Sequence, residues 1–244
     1  MSTKFKIITP AYNCAESIRT TLFSVIGQDY ADWEMIICDD MSTDNTVSVI
    51  NEIAENNNLS NRITVNTRQE KHGEVRNTIV EAAQCNDDDV IIRLDAGDFI
   101  TDLGCFSILN YFYSEHDPAV LWTGHRWRYS NFNISGPIDP NISVYKQPWR
   151  SSHLKTFRVR DFRGLNELNF KDDNGDWIMI GCDQAIFLPM LERARINKRP
   201  LIYLPACMYH YDTPAADDPS VFREERSKKQ KASAEWIRER GYIE

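Results

Sequence analysis

Two pairs of carboxylates follow apolar runs of the sequence, at points where strands are expected to end. Asp39 and Asp40 directly follow one run, and Asp95 and Asp98 follow another. Acidic side chains that converge cost free energy unless a cation or hydrogen-bond donors compensate them. Hard oxygen ligands suit Mg²⁺ or Mn²⁺, and diphosphate oxygens would complete the shell of such a metal. The pairs therefore predict a site for a divalent metal and a diphosphate, with a turn residue as the alternative for Asp98.

The first hundred residues alternate between apolar runs and segments of helical period. Runs typical of strands occupy residues 4–9, 33–38, 62–65 and 89–94, while helical spacing is found in 17–28, in the segment capped by Thr43 or Asp44, and in 73–83. Such alternation predicts an α/β fold, Rossmann-like, with a mostly parallel sheet flanked by helices. Ligands bind such sheets beyond the carboxyl ends of the strands. We therefore expect residues 10–13, 39–40 and 95–98 to line one crevice.

The second half of the chain is less regular, and no linker marks a second domain. We expect strands at 119–123 and 201–204, an irregular excursion at 129–148, a helix at 183–194 despite Pro189, and a charged helix at 220–240. The charged helix has little apolar surface and is expected to pack along the outside or against a partner. We therefore expect a single domain over residues 1–218, divided into halves 1–113 and 114–218, with the charged helix in 219–244.

The composition indicates a soluble α/β protein with one core. Its 244 residues are 42% hydrophobic, and no apolar run approaches the roughly 20 residues that a membrane-spanning helix needs. The six cysteines are scattered without a C-x-x-C pair, which disfavours a zinc site or a disulfide framework and indicates reduced thiols. We therefore expect a cytoplasmic protein without an integral membrane segment.

The net charge of −8 is unevenly distributed along the chain. Residues 122–163 contain eight Lys or Arg against two acids, so this stretch carries +6 and the remainder carries −14. Such asymmetry predicts that the middle of the chain faces an anionic partner. The alternative is an ordinary solvated loop face.

Several motifs together resemble those of the family 2 glycosyltransferases, which have the GT-A fold. They are T-P-A-Y-N (9–13), S-V-I-G-Q (24–28), W-E-M-I-I-C-D-D-M-S-T-D (33–44), G-E-V-R-N (73–77) and L-D-A-G-D (94–98). The resemblance implies a nucleotide-diphospho-sugar transferase, with a UDP-sugar as the expected donor and Mn²⁺ or Mg²⁺ as the cofactor. It also implies a set of donor-binding residues: Pro10 and Tyr12 at the nucleobase, Asp39 and Asp40 at the base or ribose, Arg76 near the phosphates or sugar, and Asp95.

This sequence departs from the family at the metal motif. Asp95 begins the D-x-D signature, but Gly97 removes one carboxylate of the commoner form D-A-D-D. The resemblance implies that Asp98 takes over as a metal ligand beside Asp95, and that His210 supplies a third ligand from near the C-terminus. The alternative for His210, which lies between two tyrosines, is a packed or exposed side chain. For Arg76, the alternative is an ion pair on a helix surface.

The same resemblance, thinner in the second half, implies that Asp183 is the catalytic base. Asp183 is expected at the start of a helix, where it would take the proton from the acceptor hydroxyl as the anomeric centre is inverted. Cys182 replaces the acid that usually precedes this residue, an N-cap is the alternative role, and Asp172 and Asp173 are fallback candidates. The matching segment 148–158 supplies candidates for acceptor or phosphate contacts: Trp149, Arg150, His153 and Lys155.

The acceptor and the activity both have alternatives. A glycan or other saccharide is the favoured acceptor. The interleaved cations and rings of 126–129 and 149–158 also fit an unstacked base and a phosphate backbone, so a hydroxylated base in DNA, as modified by some bacteriophages, is a second hypothesis. A third is a non-catalytic nucleotide-sugar-binding protein, with Gly97 and Cys182 as signs of lost chemistry. A nucleotidyltransferase is disfavoured because T-P-A-Y-N is not a glycine-rich phosphate loop.

Overall fold

The structure is a computed structural model that describes residues 2–127, 130–212 and 220–244. The first half of the chain forms, in order, β1 (Phe5–Ala11), α1 (Ile18–Ile26), β2 (Trp33–Asp39), α2 (Thr46–Asn56), β3 (Ile63–Thr67), α3 (Gly73–Gln84) and β4 (Val90–Arg93). These bounds agree closely with the predicted ones, because the spacing of apolar residues reports directly on which side of a strand or helix is buried.

The second half forms β5 (Phe99–Ile100), α4 (Cys105–His116), β6 (Val120–Trp127), β7 (Lys155–Arg158), α5 (Val159–Phe162), α6 (Cys182–Ile196), β8 (Leu201–Tyr211) and α7 (Ser220–Arg240), with short 3-10 helices at Val144–Lys146 and Glu167–Phe170. The predicted strand at 119–123 and the helices at 183–194 and 220–240 are present. β8 extends far beyond the predicted 201–204. No strand was predicted at β7, because its sequence K-T-F-R does not read as an apolar run.

The strands form one eight-stranded sheet in the order β3-β2-β1-β4-β7-β6-β8-β5. Neighbours β1–β2, β2–β3, β1–β4 and β6–β8 are parallel, whereas β7 runs antiparallel to both β4 and β6, and β5 runs antiparallel to β8. The sheet is thus mostly parallel, as predicted. The register aligns Ala11 with Asp39 and Ile8 with Arg93, so the loops that follow β1, β2 and β4 leave the same edge of the sheet.

Helices cover both faces of the sheet and bury two apolar clusters. One cluster joins Phe5 and Ile7 of β1 to α1, α2 and α4, and the other joins Ile8 of β1 to α3 and α6. Alternation explains the division, since successive side chains of a strand point to opposite faces. The charged helix α7 is anchored to the second cluster through Ile237, which is 1% exposed. Within the described ranges, no helix has the length and apolar character needed to cross a membrane.

Candidate active site

Asp40 holds the start of α3 against the end of β2. Its carboxylate accepts hydrogen bonds from the backbone N–H groups of His72 (2.7 Å) and Gly73 (3.0 Å) and from the side-chain amide of Asn77 (3.2 Å). The first N–H groups of a helix have no partner within the helix, so a buried carboxylate at this point satisfies them. Asp40 therefore shapes the crevice wall, and its contact with a base or ribose stays a prediction.

The loops after β1 and β2 are tied together at the same edge. Asn13 donates its backbone N–H to Ser42 Oγ (2.9 Å), and its side-chain oxygen accepts from the backbone N–H of Thr43 (2.8 Å). Asp39, which is 1% exposed, accepts from the backbone N–H of Ser42 (3.3 Å). Asp44 accepts from the backbone N–H of Thr46 (3.0 Å) as a turn residue, since the N-cap of α2 is Asn45. These contacts give the crevice a fixed wall.

The rim of the crevice carries an open aromatic ring and a cation. Tyr12 is 50% exposed, and Lys71 Nζ lies 4.5 Å from the centroid of its ring, within the range of a cation–π contact. Pro10, at the end of β1, is half-buried beside them. Arg76 on α3 pairs with the exposed Glu70 at 2.7 Å, which is the surface ion pair named as its alternative role. Such pairs are worth at most about 1 kcal/mol, so the phosphate contact of Arg76 stays a prediction beside this ion pair.

Arg93, a residue that the sequence analysis missed, links α3 to the acidic motif. It is 2% exposed, pairs with Asp95, lies 3.3 Å from Glu74 and donates through Nε to Thr78 Oγ1 (3.1 Å). A buried guanidinium requires carboxylate partners, and the acids at its two ends supply them. An arginine inside the apolar run V-I-I-R-L was the available signal. Arg93 therefore positions Asp95, whose side chain is 29% exposed to the cleft.

The departure at Gly97 has a conformational reason. Gly97 adopts φ +100°, a value that L side chains rarely take, and a Cβ at this position would lie 3.2 Å from Ser17 Oγ. Its backbone N–H donates to Thr21 Oγ1 (2.9 Å), and the Thr21 hydroxyl donates to the backbone oxygen of Asp98 (2.7 Å). The missing carboxylate is thus replaced by a tight turn that packs the acidic motif onto α1.

Asp98 faces β8. Its carboxylate accepts from the Tyr209 hydroxyl (2.6 Å) and from the backbone N–H of Asp212 (2.8 Å). Burial, together with the charge of Asp95, raises the pKa of Asp98 to about 8. Both oxygens of Asp98 are thus engaged by donors of the protein, whereas Asp95 reaches the cleft.

His210 lies on the other face of β8 from Tyr209. Its ring stacks on Phe99 at 4.3 Å, and its Nδ1 accepts from Arg126 Nε at 3.1 Å. Adjacent residues of a strand point in opposite directions, so the side chain of His210 is directed away from the contact between Tyr209 and Asp98. The structure therefore does not bring the predicted metal ligands Asp95, Asp98 and His210 together. Across the described residues, no group of three or more His, Cys, Asp or Glu side chains is arranged to hold a metal ion.

Asp183 stands in the first turn of α6, on the wall of the cleft. Its side chain is 38% exposed, it forms an ion pair with Lys155, and His153 Nε2 lies 3.7 Å from its Oδ2. The surrounding protein tends to raise the pKa of Asp183, but the Lys155 ammonium and His153 overcome this and hold the pKa well below its usual range. Gly181 occupies the N-cap position. Asp183 is therefore an accessible carboxylate whose neighbours favour its ionised form.

Lys155 and His153 are placed differently from what the sequence predicted. Lys155 is 0% exposed, with Nζ 5.0 Å from the ring centroid of Phe187, and His153 is 5% exposed. Neither side chain can reach a phosphate or an acceptor in this arrangement, because both lie behind Asp183. Burial and the neighbouring Lys155 lower the pKa of His153 to about 4, so its ring is neutral at pH 7. The two predicted ligand contacts are thus supports of Asp183.

The other candidates for the acceptor contacts and for the base do not touch Asp183, Lys155 or His153. Trp149 is half-buried and packs on the second apolar cluster, and Arg150 is exposed. Asp172 accepts the backbone N–H groups of its own turn, at 174 and 176, and Asp173 accepts from Trp236 Nε1 of α7 at 3.2 Å. These bonds give the two fallback acids structural roles. Asp183 therefore remains the candidate for the catalytic base in this region.

The positive charge of residues 122–163 is partly compensated inside the protein. Four of its eight cations form ion pairs with acids from other segments: Lys155 with Asp183, Arg158 and Arg160 with Asp117, and Arg163 with Asp87. Arg128 lies outside the described residues. The charge asymmetry along the sequence is therefore partly offset in the folded chain, and the anionic partner stays a prediction.

The sheet order and the flanking helices define an α/β fold of the GT-A type, with the cleft at the carboxyl ends of its parallel strands. The sequence model of the Glycosyl transferase family 2 matches residues 6–178. The chain belongs to this family. Family membership agrees with the resemblance that the sequence motifs carry.

Individual relatives are more distant. The chain is 27% identical to the chondroitin synthase of Pasteurella multocida (strain Pm70) over 194 residues, which are 76% of this chain and 18% of the synthase. The chain thus spans less than a fifth of the length of that relative. The activity of the whole relative does not carry over to a segment of this size.

Solved structures share the fold. Residues 1–349 of S. aureus TarS in complex with UDP-GlcNAc superpose with a TM-score of 0.62 at 20% identity, covering 88% of this chain and 60% of that one. A mannosyltransferase, PcManGT from Pyrobaculum calidifontis in complex with GDP-Man and Mn²⁺, gives 0.64 at 15% identity, with 96% and 63% covered. At these identities the likeness concerns the fold, and the GT-A prediction is confirmed.

Proposed function

We propose that the chain transfers a sugar from a nucleoside diphosphate, with UDP as the nucleotide, to a hydroxyl of a saccharide acceptor, with inversion at the anomeric carbon. The observation that carries the proposal is the accessible carboxylate of Asp183, held ionised by the buried Lys155. Arg93 pairs with Asp95, and the charges of Asp95 and Asp183 both raise the pKa of Arg93, so both carboxylates lie near one guanidinium. The base thereby stands close to the end of β4, where the donor is expected.

In the proposed reaction Asp183 takes the proton of the acceptor hydroxyl. The hydroxyl oxygen forms its bond to the anomeric carbon as the bond from that carbon to the diphosphate breaks on the opposite face. Tyr12, which is 50% exposed, offers its ring to the nucleobase, and the buried Asp39 and Asp40 fix the loops beneath it. Arg76 exchanges Glu70 for the phosphates.

A divalent cation fits this site through Asp95. Mg²⁺ and similar ions are commonly held by one or two carboxylates together with substrate phosphates, so a three-residue cage is not required. Asp95 supplies the carboxylate that faces the cleft, and Asp98 supports the turn beneath it. When bound, the metal would neutralise charge on the departing nucleoside diphosphate.

UDP and a saccharide acceptor are supported by two separate observations. The TarS structure contains UDP-GlcNAc, and the name of the Pasteurella relative describes the synthesis of a polysaccharide. DNA is the weaker candidate acceptor, because at least four cations of residues 122–163 are neutralised by acids of the same chain. A polyanion gains its affinity from free cations, which are thereby reduced in number.

The test combines binding and turnover. Thermal shifts with UDP- and GDP-sugars, each with and without Mn²⁺, identify the donor, and NMR of the product with a saccharide acceptor reports its anomeric configuration. The expected result is stabilisation by a UDP-sugar and an inverted product. Binding without turnover, equal for the wild type and Asp183→Asn, would instead support a non-catalytic nucleotide-sugar-binding protein.

A further inference from the structure

Three aromatic rings form a partly exposed surface beside the cleft, here called the aromatic platform: Trp127, Phe132 and Tyr211. Trp127 is 41% exposed and Phe132 is 59% exposed. The ring of Trp127 lies 5.0 Å from that of Tyr211 and 6.0 Å from that of Phe132, measured between centroids. Large apolar rings that stay exposed side by side at the edge of a cleft are characteristic of ligand sites.

The aromatic platform is connected to Asp183 through the ring of His153. Tyr211 lies 5.2 Å from the ring of His153, and His153 Nε2 lies 3.7 Å from Asp183 Oδ2. The register of β6 and β8 explains why these rings share one face. Trp127 lies opposite Tyr211, whereas the preceding pair, Arg126 and His210, points to the other face of the sheet. The platform therefore begins one ring away from the carboxylate to which we assign proton transfer.

We propose that the aromatic platform binds a pyranose ring of the acceptor by stacking, next to the sugar unit whose hydroxyl faces Asp183. This inference rests on the proposed function. The C–H groups on one face of a pyranose carry a weak positive charge and form an apolar surface, which complements the electron-rich face of an aromatic ring. The hydroxyl groups at the ring edge stay in contact with water, so stacking costs little polar desolvation.

Other occupants fit the platform less well. Three rings are far fewer than the roughly 20–30 residues that each partner contributes to a stable protein interface. A stacked nucleobase would bring its phosphates along, but Lys155, the cation next to Asp183, is buried and paired with that carboxylate. An uncharged sugar ring needs no such partners.

The experiment uses saturation-transfer NMR on the full chain with bound UDP. The probes are the methyl β-glycosides of glucose, galactose and N-acetylglucosamine, with single-stranded oligothymidylate as a separate arm. We expect saturation of the C–H protons on one face of at least one sugar. Trp127→Ala should weaken this binding about 5- to 10-fold, which corresponds to the loss of one aromatic contact. Trp127→Phe, which keeps a ring, should retain most of it.

Two controls separate the platform from folding and from the donor site. Tyr111→Ala removes a ring that is 58% exposed on α4 and should leave sugar binding unchanged. UDP binding should be equal in all variants, so failure of UDP binding in the wild type refutes the proposed function without bearing on the platform. Sugar binding that is absent, or equal in the wild type and Trp127→Ala, would overturn the inference. Binding confined to oligothymidylate would overturn it in favour of nucleic acid.

Discussion

Lys155 has no solvent-exposed surface, and its ammonium is paired with Asp183, whose side chain is 38% exposed. A buried ammonium is costly unless a carboxylate compensates it, so the pair holds Asp183 in one place and in its ionised form. The proton acceptor of the proposed reaction thus depends on a side chain that no substrate can touch. Lys155 is a positioning residue.

Replacement of Lys155 should alter the pH dependence of transfer. In Lys155→Met, burial raises the pKa of Asp183 and only His153 and Arg93 oppose it, so the acid limb of kcat/KM should move to higher pH. We expect kcat/KM at pH 7 to fall roughly 10-fold, a part of the ~10²–10⁴-fold that a positioned base contributes. Lys155→Arg should preserve the profile. A loss of stability with an unchanged profile would limit Lys155 to a structural role.

Removal of the base should affect turnover and spare the donor. Asp183→Asn should lower kcat by about 10²–10⁴-fold, while the thermal shift produced by the UDP-sugar stays the same. Asp173→Asn is the matched control, since Asp173 bonds to Trp236 and not to the cleft. Equal losses of activity in both variants would remove the assignment of Asp183.

The turn at Gly97 offers a test of stability. Gly97→Ala places a Cβ at φ +100° and 3.2 Å from Ser17 Oγ, and it should lower the free energy of unfolding by about 1–3 kcal/mol in urea titrations. Gly175→Ala shares a positive φ of +84° but meets no atom within 4 Å. The difference between the two variants therefore measures the contact with Ser17. If both variants lose the same free energy of unfolding, the positive φ alone accounts for the loss.

Acidification should destabilise the fold through two buried histidines. Burial and Lys155 lower the pKa values of His125 and His153 to about 4, below the ordinary 6.5, so the folded protein binds fewer protons than the unfolded chain. Their contribution to stability is complete above pH 6.5 and is lost as the pH falls from 6.5 towards 4. The expected loss between pH 7 and pH 5.5 is about 1 kcal/mol for each histidine.

Urea unfolding at the two pH values measures this loss. His153→Gln and His125→Gln should each reduce the difference in unfolding free energy, whereas His116→Gln, on the exposed side of α4, should not. If neither His153→Gln nor His125→Gln changes the difference in unfolding free energy between the two pH values, other groups cause the acid sensitivity.

Much of the donor half followed from local patterns in the sequence. The apolar spacing of β1, β2 and β4 predicted a parallel sheet, and parallel strands bring their carboxyl ends to one edge, so Asp39, Asp40 and Asp95 were expected there. The motif L-D-A-G-D showed the absence of a carboxylate at Gly97. It could not show that the turn onto α1 requires φ +100°.

The acceptor half was decided by tertiary structure. β7 lies between β4 and β6, and this position buries Lys155 behind Asp183. In β8, Tyr209 contacts Asp98, so the adjacent residue His210 points away from Asp98. Ion pairs between distant segments offset part of the charge that residues 122–163 carry along the chain. By itself the sequence determined the family, the parallel core and the edge of the sheet at which the donor is expected, because these depend on local spacing. Which side chains face the cleft depended on long-range strand pairing, which only the folded chain contains.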